Sequence, residues 1–409
     1  MKKKRWLAVI CASMMILNAC STTAPQTATS SATEQKATAS TPPASTSQKS
    51  SSGFSGTVKF GVVAALTGTN KAAGQYVRNG AELAAEKINS EGGILGKELK
   101  LEFADEVDNM QASANAVSKL INQNDVMAIF GSTYSQNCIA VLPQILDKKI
   151  TMFAGGSSAG ISNQKNPYVW QARMTDDKTC TVISKTAIEK LSMKKPAIMY
   201  STQASTMALS DRIRAELKKE GVEVSDNKYF GFAEEEKNYA PLIAEVMNSD
   251  ADGLIVIANQ LPAAMICQQA QAAGLSIPTL GSTSFASQIC RQNAGDSANG
   301  WYSIADWTPE CTSEQGVAFE TAYEKKAGAP SDMPAVCVYD SIMLFKNACE
   351  NAGTTTDREA INEGLKKVKN LNGTMNTYSY FDNHCFATTM FVTKNKDGKA
   401  TMDNIAKVR

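Results

Sequence analysis

The sequence predicts an α/β protein whose parallel strands are shared between two lobes. Two observations carry this. Short apolar, β-branched runs alternate with amphipathic segments along the chain, the pattern of parallel sheets covered by helices on both faces. And once a polar N-terminal stretch of the 409 residues is set aside, roughly 355 residues remain, more than one compact core usually holds.

The strands are predicted at 58–63, 99–104, 126–130, 150–153, 196–200, 253–258, 278–281 and 301–305. Each is a short run rich in Val, Ile, Leu, Phe or Ala. Between the first two, Val77, Ala81, Ala84 and Ile88 recur at helical spacing, and Glu91-Gly92-Gly93 supplies a stop. Further helices are predicted at 111–123, 135–147, 176–192, 206–220, 238–249, 262–273, 313–327, 334–351 and 357–368. In parallel sheets, ligands bind beyond the carboxyl ends of the strands, at the loops that open helices. The first such loop, 64–74, contains Gly68 and Gly74 but neither the GxGxxG nor the Walker spacing. It gives no support to a dinucleotide or nucleoside triphosphate site.

The N-terminus reads as an export signal. Lys2, Lys3, Lys4 and Arg5 precede a mostly apolar run over 6–17, which is too short for a bilayer core of about 30 Å. Leu17-Asn18-Ala19-Cys20 follows and resembles the lipobox of bacterial lipoproteins. That resemblance implies cleavage before Cys20 and a diacylglycerol on its thiol, with added acyl (palmitate-type) chains as a stable anchor. Residues 1–20 are therefore expected to be a lipoprotein signal. Residues 21–56 are Ser, Thr, Ala, Gln and Pro with little to bury, and are expected to be a disordered tether.

Charge is balanced, Lys+Arg 41 against Asp+Glu 40. No basic stripe with interleaved aromatics is present, so nucleic acid is not an expected partner. Of ten cysteines, none has a CxxC spacing, which argues against zinc or redox motifs. Cys337 and Cys349 fall on one predicted helix, about 18 Å apart and too far for a disulfide. Cys267 and Cys290 are close enough in the predicted order to pair. Buried free thiols and disulfides both remain open for the distal eight.

Several blocks then carry a family resemblance. They are Val58-Lys59-Phe60-Gly61-Val62-Val63, Leu66-Thr67-Gly68, 80–89 (GAELAAEKIN) and Gly92-Gly93-Ile94-Leu95-Gly96. Phe130-Gly131-Ser132, Gln271-Ala272-Ala273-Gly274-Leu275, Tyr339-Asp340 and Ala352-Gly353 follow in order. Together they resemble the branched-chain-amino-acid-binding family, the type I periplasmic binding proteins of ABC importers. The resemblance spans nearly all of 57–395. It implies two Rossmann-like lobes joined by three crossovers. Lobe I would be 57–174 plus 306–378, and lobe II 175–305 plus 379–409, with hinges near 173–175, 304–307 and 375–381. A ligand would close the cleft between them, and a permease with its ATPase would read the closed form.

The same resemblance implies a site. Ser135, at or near a helix N-cap, and the loop Gly155-Gly156-Ser157-Ser158 suit an anion, through free N–H groups and a helix dipole. In the family these positions grip the α-carboxylate of an amino acid, which maps here onto Ser135, Gly156 and Ser158. The lobe II contacts depart from the pattern. The usual carboxylate for the ligand ammonium falls on Thr283, a usual tyrosine on Ser205, and a further contact on Asn259 or Gln260. The aromatic expected before Gly74 is Ala73. The ligand is thus expected to be an amino acid or a related small carboxylate or amide. Either the ammonium subsite is rewritten, or a nearby carboxylate such as Asp306 serves.

Catalysis is not expected. His384 is the one histidine. Its neighbour Cys385 would point to the opposite face if both lay on a strand. The acidic run Glu234-Glu235-Glu236 reads as a solvated loop, with a cation site as the alternative. No cofactor or metal is implied. The functional expectation is a lipid-anchored, extracytoplasmic substrate-binding protein of an ABC importer. Its alternative is a lipid-anchored sensor that signals to a membrane partner.

Overall fold

The computed structural model describes residues 53–107, 109–311 and 313–407. Cys20 and the tether as far as residue 52 lie outside the described residues. Ordered pairing begins slightly before the expected edge of the folded part. The Ser55 amide donates to Gly96 O at 2.9 Å, and Glu98 N to Gly56 O at 2.9 Å.

The first half alternates strand and helix. In order come β1 (Thr57–Ala64), α1 (Lys71–Ser90), β2 (Glu98–Asp105), α2 (Met110–Asn122), β3 (Ala128–Gly131), α3 (Ser135–Lys148), β4 (Thr151–Ala154), α4 (Ala159–Ser162) and β5 (Val169–Trp170). The strands pair in parallel in the order β2-β1-β3-β4-β5. Both faces are covered, so β3 and β4 are buried at every residue, as expected for parallel strands between helices. On one face Phe60, Phe130, Phe153, Trp170 and Phe345 form the core. On the other, Val117, Leu120, Ile129 and Val141 do.

The second sheet repeats the plan. α5 (Asp176–Lys185) ends in a π-turn and leads to β6 (Pro196–Ser201), α6 (Ala204–Lys219), β7 (Tyr229–Phe232), α7 (Ala240–Asn248), β8 (Gly253–Ile257) and α8 (Gln260–Ala272). β9 (Thr279–Gly281), α9 (Thr283–Ala286), α10 (Gln288–Ala294) and β10 (Tyr302–Ala305) complete it. Its parallel part runs β7-β6-β8-β9-β10. The first strand thus sits between the second and third in both sheets, and each has a switch point where chain direction across the sheet reverses.

The chain then returns to the first sheet. α11 (Glu314–Ala327), α12 (Met333–Ala352) and α13 (Arg358–Leu365) follow, with a small ribbon of β11 (Leu371–Asn372) and β12 (Thr377–Tyr378). α12 lies against α1 so closely that a Cβ on Gly80 would sit 2.1 Å from Ala335 O. A last crossing leads to β13 (Thr389–Lys396) and β14 (Lys399–Lys407), which join β10 as an antiparallel edge. The second sheet is therefore mixed, not wholly parallel, a difference from the sequence expectation. Asp340 on α12 fixes the segment before this crossing. It accepts from Thr374 N at 2.9 Å, Met375 N at 2.9 Å and Tyr378 Oη at 2.6 Å.

All eight described cysteines are free and buried. Cys267 and Cys290 are neighbours across α8 and α10. Burial and the Cys290 thiol beside it push the Cys267 thiol well above its usual range.

Candidate functional site

A cleft lies at the carboxyl ends of both parallel sheets. It is lined by Thr133–Gln136 after β3, Ser157 after β4, Ser205 and Thr206 after β6, and Ala258–Gln260 after β8. Ser282–Ser284 after β9 and Ala305–Trp307 after β10 close it. The loops after β3 and β8 are the switch-point loops of their sheets, where ligands bind in open α/β sheets. The cavity volume is about 100 Å³. One water takes about 10–15 Å³ in this measure, so the space suits a solute of on the order of ten non-hydrogen atoms.

The sequence-predicted residues divide into two groups. Ser135, Ser205, Asn259, Gln260 and Thr283 all line the cleft. Gly156 and Ser158 do not; they stand directly behind Ser135. A Cβ on Gly156 would lie 2.7 Å from Ser135 Cα, so only glycine lets the two loops meet. Ser158 N donates to Ser135 Oγ at 3.1 Å, and Ser158 Oγ accepts from Gly160 N at 3.1 Å as the cap of α4. Ser135 itself is the first residue of α3, with Tyr134 as the N-cap. Its hydroxyl oxygen accepts from Ser158, and its hydrogen stays available as a donor.

Asp306 is not available as the substitute ammonium partner. It forms a buried ion pair with Arg173 and accepts from Met174 N at 3.1 Å. Arg173 also donates to Gly155 O at 3.2 Å. The pair ties the first and second crossings between the sheets together beneath the cleft.

Sequence reasoning missed a better candidate, Asp176. It opens α5, lines the cleft and is buried. Burial pushes its carboxyl up to about 6; the Ser157 hydroxyl and the Arg173 charge pull the other way, and Asp306 adds to the rise. Burial outweighs the Arg173 and Arg212 charges near this carboxyl, and a carboxylate that is costly to ionise without a further cation is suited to receive an ammonium. No spacing signal in the sequence marks it. Asp332 also lines the cleft. It caps α12 through Met333 N at 2.8 Å and accepts from Gln288 N, at the start of α10, at 2.9 Å. Burial raises its pKa, with Arg291 opposing.

The acidic run 234–236 is not uniformly solvated. Glu235 is exposed, but Glu234 is half-buried and accepts from Ser201 Oγ at 2.6 Å and Asn259 Nδ2 at 2.8 Å. His384 and Cys385 are not on a strand. His384 sits in a turn at φ 57° and stacks on Trp170 with ring centroids 3.9 Å apart. Cys385 Sγ is buried against Arg173 O. Among the described residues no cluster of three metal-ligating side chains occurs, and no helix is long and apolar enough to cross a membrane.

Comparison with known proteins agrees with this geometry. Leu/Ile/Val-binding protein homolog 3 of Brucella melitensis biotype 1 is 22% identical over 346 residues, 84% of this chain and 92% of that protein. The branched-chain amino acid transporter substrate-binding protein LivJ of Streptococcus pneumoniae, solved with isoleucine, superposes with a TM-score of 0.79 at 23% identity. The match covers 86% of this chain and 99% of that one. A solute-binding protein of an ABC transporter from R. palustris, solved with 4-hydroxybenzoate, gives 0.78 at 20% identity, over 86% and 97%. The family model described as periplasmic binding protein matches residues 57–400. That span takes in both parallel sheets and every loop of the cleft, and the chain belongs to the periplasmic binding protein family, extracytoplasmic solute binders rather than enzymes.

Proposed function

We propose that the protein is the lipid-anchored substrate-binding component of an ABC importer, and that it holds an amino acid or a related small carboxylate in its cleft. The observation that supports this best is the two-sided cleft, with the switch-point loops of both sheets facing one small space. A solute there touches both halves and favours the closed arrangement over the open one by its differential affinity. A permease with its ATPase reads that closed form. Cys20 carries the lipid, and the stretch from 21 up to the first paired residues, Ser55 and Gly56, is the tether that keeps the receptor beside its transporter.

Ser135 and the N-terminal amides of α3 seat the ligand carboxylate, with Gly156 and Ser158 holding that loop in place. A hydrogen bond to a charged group contributes about 1.5–3 kcal/mol. Asp176 receives the ammonium. Ser205, Asn259, Gln260 and Thr283 contact the rest of the ligand. The lobes are 57–174 plus 306–378 and 175–305 plus 379–409, hinged at 173–175, 304–307 and 375–381.

Isothermal titration with amino acids and small carboxylates tests the reading. At least one amino acid is expected to bind, and Ser135→Ala with Ser158→Ala is expected to weaken it at least tenfold. Binding of no amino acid or carboxylate, or unchanged affinity in the double variant, overturns it.

A further inference from the structure

Asn259 occupies the N-cap of α8 but does not act as one. Its side chain makes no capping bond to the helix it opens, although asparagine is among the best residues for that task. The amide is held instead from behind. Asn259 Nδ2 donates to Glu234 Oε1 at 2.8 Å and to Gln203 Oε1 at 3.3 Å. The other oxygen of Glu234 accepts from Ser201 Oγ at 2.6 Å, which fixes the carboxylate at the end of β6.

This settles which way the Asn259 amide faces. An ionised carboxylate only accepts hydrogen bonds, so the nitrogen end must meet Glu234. Both N–H groups are then used. No described residue donates to Asn259 Oδ1, and Asn259 lines the cleft. Its offering to a solute is therefore an acceptor. The neighbouring lining is of the same kind. The Ser205, Thr283 and Ser284 hydroxyls and the Gln260 amide carry no hydrogen bond to a described side chain or backbone group. Ordinary branched aliphatic side chains leave such groups unpaired in the closed cleft, a loss of roughly five- to 150-fold in affinity for each one buried.

We infer that Glu234 is a positioning residue that turns Asn259 into an acceptor for a hydrogen-bond donor on the ligand side chain, so that the receptor selects polar, hydroxyl- or amide-bearing amino acids over branched aliphatic ones. The inference rests on the reading of the cleft as an amino-acid site. It adds what that reading leaves open, the chemistry of the side chain. Glu234 does not itself line the cleft. It acts through Asn259.

Matched ligand pairs, differing chiefly in a hydroxyl or amide, give the test. Titrations compare threonine with valine, serine with alanine, and glutamine with methionine. The polar member of at least one pair is expected to bind about 100-fold or more tightly, a floor below the roughly 10⁴–10⁵-fold by which a site built to hydrogen-bond a hydroxyl or amide rejects the analogue lacking it. Glu234→Ala frees the Asn259 amide to turn and is expected to bring that ratio down at least tenfold. Glu234→Gln restores it, because the glutamine carbonyl can still accept from Asn259 while the Ser201 hydroxyl turns to accept from the amide. Thermal melts of both variants report folding separately. The ratio in the unmodified protein decides the matter even if a variant is unstable. Equal or reversed affinities within every pair overturn the inference while leaving the amino-acid reading intact. Failure of every amino acid to bind overturns both. A ratio unmoved by Glu234→Ala in a folded protein removes Glu234 from its role.

Discussion

At the scale of single residues, Asp176 sets a trade between stability and binding. Its carboxyl titrates near 6 in the folded protein against 3.8 ordinarily, chiefly because it is buried. An acid whose folded value is raised favours the folded state when protonated. Its contribution is therefore fully present below 3.8 and is lost as pH rises through about 6. The gap corresponds to roughly 3 kcal/mol. Asp176→Asn is expected to raise the melting temperature at pH 7 and to flatten its fall between pH 4 and pH 6, as read by calorimetry without ligand. The same variant is expected to lose affinity for amino acids at least tenfold. A variant no more stable at pH 7 would show that the burial penalty is compensated. Little of this is legible in the sequence. Nothing in the local spelling separates Asp176 from Asp177, yet only the first lines the cleft. The same holds for the run Glu234-Glu235-Glu236: three identical residues, of which only Glu234 accepts from the cleft-lining Asn259. Ser135, by contrast, is marked by its place between a strand and a helical run, and it lines the cleft.

At the scale of elements, the legible parts are those with buried runs. The first four predicted strands match β1 to β4 within two residues; for β1, β3 and β4 two-sided burial demands nearly unbroken apolar stretches, while the edge strand β2 shows instead an alternation of Leu and Phe with charged residues. The strands that were missed are edges, fragments or interrupted runs. β14 is the edge strand, facing water with Lys399 and Lys407, while β13, paired between β10 and β14, breaks its apolar run with Thr393, Lys394, Asn395 and Lys396. Their turn, Asp397-Gly398, is nonetheless a recognisable hairpin signal. β5 is only two residues long and has no pattern to read. The third crossing is held by a buried carboxylate instead of by propensity. Asp340→Ala leaves the Thr374 and Met375 amides and the Tyr378 hydroxyl without their acceptor. This variant is expected to lose about 3 kcal/mol or more of stability, measured by urea unfolding. Asp340→Asn, which keeps an acceptor, is expected to lose less. Equal losses would mean that charge, not hydrogen bonding, holds the segment.

At the scale of the whole molecule, Asp332 joins the two sheets' helices. Its carboxylate caps α12, which packs on the first sheet's α1, and also accepts from the first amide of α10, beside the second sheet's α8. In the proposed clamshell, separation of the halves breaks this bond, which therefore belongs to the closed arrangement of that reading. Asp332→Ala is expected to lose about 1–2 kcal/mol of helix-cap stability and to weaken ligand binding several-fold, because closure has one contact fewer to offer. Small-angle scattering of the variant with ligand is expected to show a larger mean radius of gyration than the unmodified protein. An unchanged radius and affinity would restrict Asp332 to capping.

The two sheets repeat one strand order, but their loops carry unlike chemistry. On the proposed reading, one half offers donors to an anion, the other acceptors and a carboxylate. Recognition is then divided between loops of two sheets, which are joined behind the solute by the Arg173–Asp306 pair and the Asp332–Gln288 bond. A receptor of this kind can keep its grip on the constant end of its solutes, whatever the sheet opposite comes to read at the variable end.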